Sequence, residues 1–313
     1  MFEIRRYRPN LEKEWNAYVA KARNATFLFN RSYMDYHSDR FEDYSIMLYK
    51  NGHLHSILPA HIKESVLYSH FGLTYGGLLM DINVTAADTV QLFKELNVYL
   101  KNAGITKVVY RPVPYIYHQI PAEEDLYAIF WHCNARLLYR NIGTTIFMRQ
   151  NLRWRKDHRR RLKNAQSQGI RVERDSSIED FWKVLEDNLM KKFCARPVHT
   201  KEEMLLLKSR FPNEIIQYNA YLNEQIIGGI TFYIMPNVIH GQYSSTNDLG
   251  KQYGAMEAIY EQVMYHDYTD YTYLDFGSST EENGSIINEG LIAHKEGYGG
   301  RAVCYDTYEW LIP

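Results

Sequence analysis

The sequence predicts an α/β chain of mixed strands and helices, arranged as two similar units in tandem. Three observations carry that expectation. At 313 residues and 45% hydrophobic content the chain is long enough for two ordinary domains, each with a real core. Stretches with the period of two of a pleated strand alternate with stretches at helical spacing. The order helix, hairpin, strand, glycine turn, helix, strand in the first half then returns in the second, a duplication by pattern rather than by identity. The boundary is expected near Gln150, giving units 1–150 and 151–313.

Taken in order, Asn10 is placed to cap a helix whose Trp15, Tyr18, Val19 and Ala22 share one face. Tyr44 to Tyr49 and Leu54 to Ile62 read as strands around Asn51-Gly52, the strongest short hairpin signal. Val66 to His70 continues the sheet, and Phe71 to Gly77 interrupts it. Thr85 with Asp88 starts a helix carrying Leu92, Phe93, Leu96, Tyr99 and Leu100, and Gly104 stands where a helix C-terminus wants a glycine. Ile105 to Tyr110 is the strand that follows.

In the second half, Ser177 and Asp180 start a helix with Ile178, Phe181, Leu185 and Leu189 inward, and a hairpin follows around Asn223-Glu224. Val238 to Ser244 is strand-like, and Gly250 to Gly254 reads as a glycine-flanked turn. From Ala255 the residues Met256, Ile259, Tyr260, Val263 and Met264 recur at helical spacing. The expected order of strand, glycine turn and helix aims backbone N–H groups at an anion beyond the strand. Tyr271 to Phe276 alternates as another strand. It is expected to break at Gly277-Ser278-Ser279, where free N–H groups face a ligand. The remainder, Asn288 to Gly300, reads as a glycine-rich loop that loses much entropy on ordering unless something uses it.

Between the halves lies the one strong charge cluster: Arg153, Arg155, Lys156, Arg159, Arg160, Arg161 and Lys163. On a helix ended by Gly169, Trp154, His158, Leu162 and Ala165 share one side and most of the bases spread over the other. This pattern fits a solvated helix face, and equally a phosphate or RNA site.

A net charge of −1 gives no global pull toward nucleic acid or an acidic membrane. The 27 tyrosines are read first as half-buried strand residues. Cys133, Cys194 and Cys304 are odd in number and widely spaced, which argues against a disulfide framework and, with the scattered histidines, against a metal site. No run approaches the roughly 18 apolar residues of a spanning helix, and the N-terminus lacks an apolar core. A cytoplasmic protein is expected.

The stretches HGQYSSTNDLGKQYGAMEAIYEQVM, YLDFGSSTEENG and NEGLIAHKEGYGG resemble the second domain of tandem GNAT-fold transferases. Similar proteins are the Fem-type peptidoglycan aminoacyl transferases and the GNAT-like proteins of bacterial polysaccharide clusters. The resemblance is strongest from about Arg159 onward, and its most specific piece is DFG followed by the Lys-Glu-Gly-aromatic-Gly run. It implies two tandem GNAT-like domains with a cleft between them. The first would be degenerate and on the acceptor side, the second on the donor and catalytic side. The implied activity is N-acyl or aminoacyl transfer to an amine of a cell-envelope or polysaccharide precursor. Acyl-CoA or aminoacyl-tRNA would be the co-substrate, with no tightly bound cofactor. The acceptor would be a small or nucleotide-linked molecule, and tRNA a further partner.

The resemblance places Lys295 near the transferred acyl group, where an ammonium suits the negative charge that develops on a carbonyl oxygen. Asp275, at a strand end, is a candidate to deprotonate the incoming amine; the competing reading is a turn cap, a role Asp favours. Donor contacts are expected from Tyr243, Ser244, Lys251 and Gly254. The acyl-CoA pattern is altered in Lys251 to Met256, with Lys for Arg and Met at the last small position, which leaves the donor open. Acceptor contacts are assigned to Tyr75, Gly76 and His118 at strand ends and to Arg159 and Arg160 on the basic helix. Two other readings stand beside the enzyme: a ligand-binding protein that retains the fold without catalysis, and an RNA-binding module using Arg153 to Lys163.

Overall fold

The computed structural model describes residues 1–313, the side chain of Phe193 excepted, and the chain falls into two units. The first is Met1–Asn141 with Glu281–Ile286 and Cys304–Pro313; the second is Ile142–Thr280 with Ile287–Val303. The last strand of the chain thus ends within the first unit, a long-range return that no single cut near Gln150 describes.

The first unit runs β1 (Phe2–Arg6), α1 (Glu12–Lys21), α2 (Arg31–Met34), β2 (Glu42–Asp43), β3 (Ile46–Lys50), β4 (His53–Leu58), β5 (His61–Lys63), β6 (Val66–Tyr68), β7 (Leu79–Met80), α3 (Ala86–Asn102), β8 (Lys107–Tyr110) and α4 (Glu124–His132). The Asn51-Gly52 hairpin forms, with Lys50 opposite His53. Both turn residues have positive φ, as a tight hairpin of this twist needs. Thr85 accepts from the Asp88 N–H and begins α3. The helix carries the chain from β6 to β8, which pair in parallel. Leu92, Phe93, Leu96 and Leu100 of α3 are buried against Val108, Tyr110 and Trp310. At the start of α1 the reading needs correction. Asn10 lies inside a short 3-10 turn, Pro9–Leu11, and Leu11 precedes the α-helix without a side-chain cap. Pro9 sets the turn one step before Asn10.

The rest of the chain follows β9 (Arg136–Phe147) with α5 (Lys156–Ser167), β10 (Arg171–Arg174), α6 (Ile178–Phe193), α7 (Lys201–Arg210), β11 (Ile215–Leu222), β12 (Gln225–Ile234), β13 (Val238–Thr246), α8 (Asp248–Tyr253), α9 (Ala255–Gln262), β14 (Tyr273–Ser278), β15 (Thr280–Glu281), β16 (Ile286–Ile287), α10 (Glu289–Gly297) and β17 (Arg301–Leu311). The sheet order is β10-β11-β12-β13-β14, with the end of β9 beside β14. Ser177 accepts from Asp180 N–H to begin α6, and Gly169, at φ +67°, follows α5. As in the first unit, helices α8 and α9 carry the chain from one strand to a parallel neighbour, β13 to β14. Ile239 and Leu274 of those strands pack with Ile259, Tyr260 and Val263.

Two segments differ from expectation. The Gly250 to Gly254 stretch is helical: Asn247 caps α8 by accepting from Gly250 N–H, and only Gly254, at φ +86°, separates α8 from α9. The Asn288 to Gly300 stretch is mostly helix α10, because the Asn288 side chain accepts from Leu291 N–H and starts it. The glycines fall late, Gly297 in the last turn and Gly299 at φ +95° just beyond.

Candidate functional site

Parallel strands β13 and β14 pair through Val238–Tyr273, Ile239–Leu274 and His240–Asp275, and the pairing ends there. Beyond that rung β13 stays with β12 up to Thr246 and β14 turns at Gly277. Strands that part in this way leave a wedge between them, at the strand ends where ligands of open α/β sheets bind.

Asp275 sits at the root of the wedge and is fully buried. Its Oδ1 accepts from Thr145 Oγ1 at 2.9 Å and from Gly277 N–H at 3.1 Å, and its Oδ2 lies 2.8 Å from His240 Nδ1. A buried carboxylate needs this satisfaction. The contact with Gly277 N–H is a turn-capping bond, the structural reading of the residue. His240 was not singled out by sequence reasoning; its place opposite Asp275 follows only from the register of two strands far apart in the chain.

Gly277 takes φ +68°, and its turn presents carbonyls rather than the free N–H groups expected. Gly277 N–H is used by Asp275, and Ser279 N–H donates to Ile142 O. The carbonyls of Gly277 and Ser278 accept from Lys295 Nζ at 3.0 and 2.7 Å. Lys295 lies in the last turn of α10 and is 7% exposed. Burial pushes its pKa down to about 8, opposed by the nearby Asp275 charge. An ammonium has three donors; two are committed to the turn, which leaves one for a ligand.

Lys295 lines a cavity of about 190 Å³ bounded by β13, β14, α6, α9 and α10. Gly241, Ser244, Ser245 and Thr246 come from the end of β13 that has parted from β14, Phe276 from β14, and Asn188 and Lys192 from α6. Met256 and Tyr260 of α9 and Leu291 and His294 of α10 complete it. His294 is held neutral by burial, which brings its pKa down to about 4 with a further push from His158. Lys192, Asn188 and His294 were not legible as site residues, since helix periodicity marks α6 only as an element and the α10 stretch reads as a loop. A larger cavity of about 500 Å³ lies in the first unit around Lys107, Arg136 and Glu309, but there both cations pair with Glu309.

The other expected donor contacts scatter. Ser244 is exposed in the cavity wall. Tyr243, its neighbour on the strand, packs on Trp182 and shares its hydroxyl with His199. Lys251 pairs with Asp248 on the surface. At Gly254 a Cβ would come 2.5 Å from Arg161 O, so helix packing accounts for this glycine.

Of the acceptor candidates, Tyr75 is fully buried, its ring tilted against Tyr117 and its hydroxyl on Thr26. A Cβ at Gly76 would collide with Ser69 O. His118 sits against Val113 O and lines a cavity of about 410 Å³ within the first unit. On α5 His158 and Ala165 are buried and Leu162 is half-buried, as read for that side, but Trp154, also buried, lies ahead of the helix, which begins at Lys156. Arg159 donates to Trp154 O, Arg155 pairs with Asp157, and Arg161 reaches Glu257. Arg160 is exposed. None of these arginines lines the Lys295 cavity.

No family model matches the chain, and no curated protein matches it. Solved structures do. FemX superposes with a TM-score of 0.68 at 10% identity, over 99% of this chain and 97% of its own. The C-terminal domain of a putative lysylphosphatidylglycerol synthetase from Agrobacterium fabrum gives 0.60 at 11% identity, over 97% and 92%. A tandem GNAT protein from the clavulanic acid biosynthesis pathway gives 0.54 at 10%, over 100% and 99%. The fold is therefore a mixed α/β tandem GNAT fold of the Fem-like kind. Among the described residues no helix is long and apolar enough to cross a membrane, and no group of His, Cys, Asp and Glu could hold a metal.

Proposed function

We propose that the protein is an N-acyltransferase, moving an acyl or aminoacyl group from a soluble donor to an amine of a cell-envelope or polysaccharide precursor in the cytoplasm. The observation that carries this reading is the buried Lys295 ammonium, anchored by the Gly277 and Ser278 carbonyls with one donor left for the cavity. The donor carbonyl sits in the wedge between β13 and β14, and its oxygen takes the remaining Lys295 N–H. The acceptor nitrogen attacks the carbonyl carbon. A C–N bond forms and the bond from carbon to the donor's sulfur or oxygen breaks; the acceptor ammonium gives one proton to water before the attack, and the nitrogen's second proton passes to the leaving sulfur or oxygen. Lys295 stabilises the oxyanion between these events. Asp275 is a positioning residue: its contact with Gly277 N–H shapes the turn whose carbonyls hold the lysine.

The test is the kinetics of Lys295→Ala with an identified donor and acceptor. An oxyanion partner predicts a loss of about 100- to 1,000-fold in kcat, with substrate affinity changed far less, since the charge exists only in the transition state. Lys295→Arg restores little, because a planar fork cannot replace a point charge seated between two carbonyls. A rise in KM with kcat intact would refute the role.

A further inference from the structure

The charges around the cavity bear on which acyl group it accepts. Lys192 and Lys295 reach its lining, as does the neutral His294, and no aspartate or glutamate does. The three carboxylates that act electrostatically on the site are already used, Asp248 by Lys251 at 3.2 Å. Asp275 accepts from Thr145, Gly277 and His240, and Glu257 is held by His158 at 2.8 Å and by Arg161 at 3.4 Å. A third cation, Lys251, stands beside Lys192, whose ammonium is held below its ordinary pKa by desolvation first and by Lys251 second. The remaining polar lining consists of the Asn188 amide and the hydroxyls of Ser244, Ser245 and Thr246, with Met256, Tyr260, Phe276 and Leu291 as the apolar wall.

An aminoacyl group carries an ammonium two or three bonds from the reacting carbonyl carbon. In this cavity that ammonium would find no counter-charge and would stand near two lysines, and like charges a few ångströms apart in a partly desolvated site repel strongly. We infer that the transferred group is an acyl chain without an ammonium, neutral or carboxylate-bearing, so that the donor is an acyl thioester and not the aminoacyl end of a charged tRNA. This rests on the reading of the cavity as the donor site. The same cationic lining favours the acceptor amine in its neutral, nucleophilic form.

The test is isothermal calorimetry with two isosteric acyl groups on two carriers. Butyryl-CoA and β-alanyl-CoA differ only in a terminal methyl against a terminal ammonium. The same two acyl groups as 3′-amides of 3′-amino-3′-deoxyadenosine imitate the tRNA end. On whichever carrier binds, the butyryl form is expected to bind at least about tenfold more tightly. Lys192→Gln, a change at an exposed position, should narrow that ratio. Equal or tighter binding of the β-alanyl form overturns the inference and leaves the acyltransferase reading in place. Failure of both acyl groups on both carriers overturns the cavity as a donor site, and the inference with it.

Discussion

His240 Nδ1 and Asp275 Oδ2 lie 2.8 Å apart on the last paired rung of β13 and β14. The pair closes the root of the wedge, and the same carboxylate holds the Gly277 turn through its other oxygen. Strand pairing, turn geometry and the seat of Lys295 are thereby joined through one buried group.

Asp275→Asn tests that relationship. The amide keeps the shape but removes the charge that accepts from three donors, and hydrogen bonds to a charged partner contribute about 1.5–3 kcal/mol. Urea denaturation should show a loss of about that size, and Lys295 should become easier to acylate as its carbonyl seat loosens. Unchanged stability alongside lost activity would instead make Asp275 a catalytic base.

At Gly254 the expected outcome separates packing from ligand contact. The backbone is at φ +86°, and a Cβ would lie 2.5 Å from the Arg161 carbonyl. Backbone strain and the displaced α5 together predict that Gly254→Ala loses about 2–3 kcal/mol. A variant as stable as the parent, but with weakened donor binding, would return this glycine to the binding site.

These cases mark what the sequence makes legible. Helix starts at Thr85 and Ser177, the Asn51-Gly52 hairpin and the His158 to Ala165 part of the inward face of α5 are local signals, and each appears where read. The resemblance anticipated the tandem fold and directed attention to Lys295, which lies in a cavity wall. The burial of Tyr75, the packing of Tyr243 on Trp182 and His199 and the steric need for Gly76 and Gly254 depend on neighbours 7 to 93 residues away, which no local pattern reports. Asn288 converts a glycine-rich stretch into helix α10 because one capping side chain outweighs late glycines. Lys192 and His240 join the site through tertiary packing and strand register, so composition and spacing are silent about them.

A cluster in the first unit predicts sensitivity to acid. His37, His61 and His70 are buried, with His70 ring centroids 5.5 Å from His37 and 5.6 Å from His61. Burial, with Arg40 as the next cause, brings His37 down to about 4; burial and the His37 charge do the same for His61. The unfolded chain, with histidines near 6.5, binds more protons than the fold across that window. Stability is therefore fully present above about pH 6.5 and falls as pH drops toward 4, by about 1 kcal/mol per histidine per pH unit. Thermal melts from pH 7 to 4.5 should show the decline, and His37→Phe should flatten it. A flat wild-type profile would mean that the cluster is hydrated.

Lys295 gives a slope of the same sign at the other end of the scale. Its folded pKa is lowered to about 8 from the ordinary 10.5, so between those values the unfolded chain holds a proton that the fold has released. Stability should accordingly rise with pH across about 8 to 10.5, after subtraction of the slope of Lys295→Met, which has nothing to titrate there. Activity should move the other way. If the ammonium is the working form, kcat falls above about pH 8 as the proton is lost, whereas a lysine acting as a free-amine base would gain activity over the same range. A direct readout needs no substrate: acetic anhydride labelling of Lys295, followed by peptide mass spectrometry, should reach half of its maximal rate near pH 8. A midpoint near 10.5 would show that the ammonium is solvated and would remove the physical basis for its assigned role.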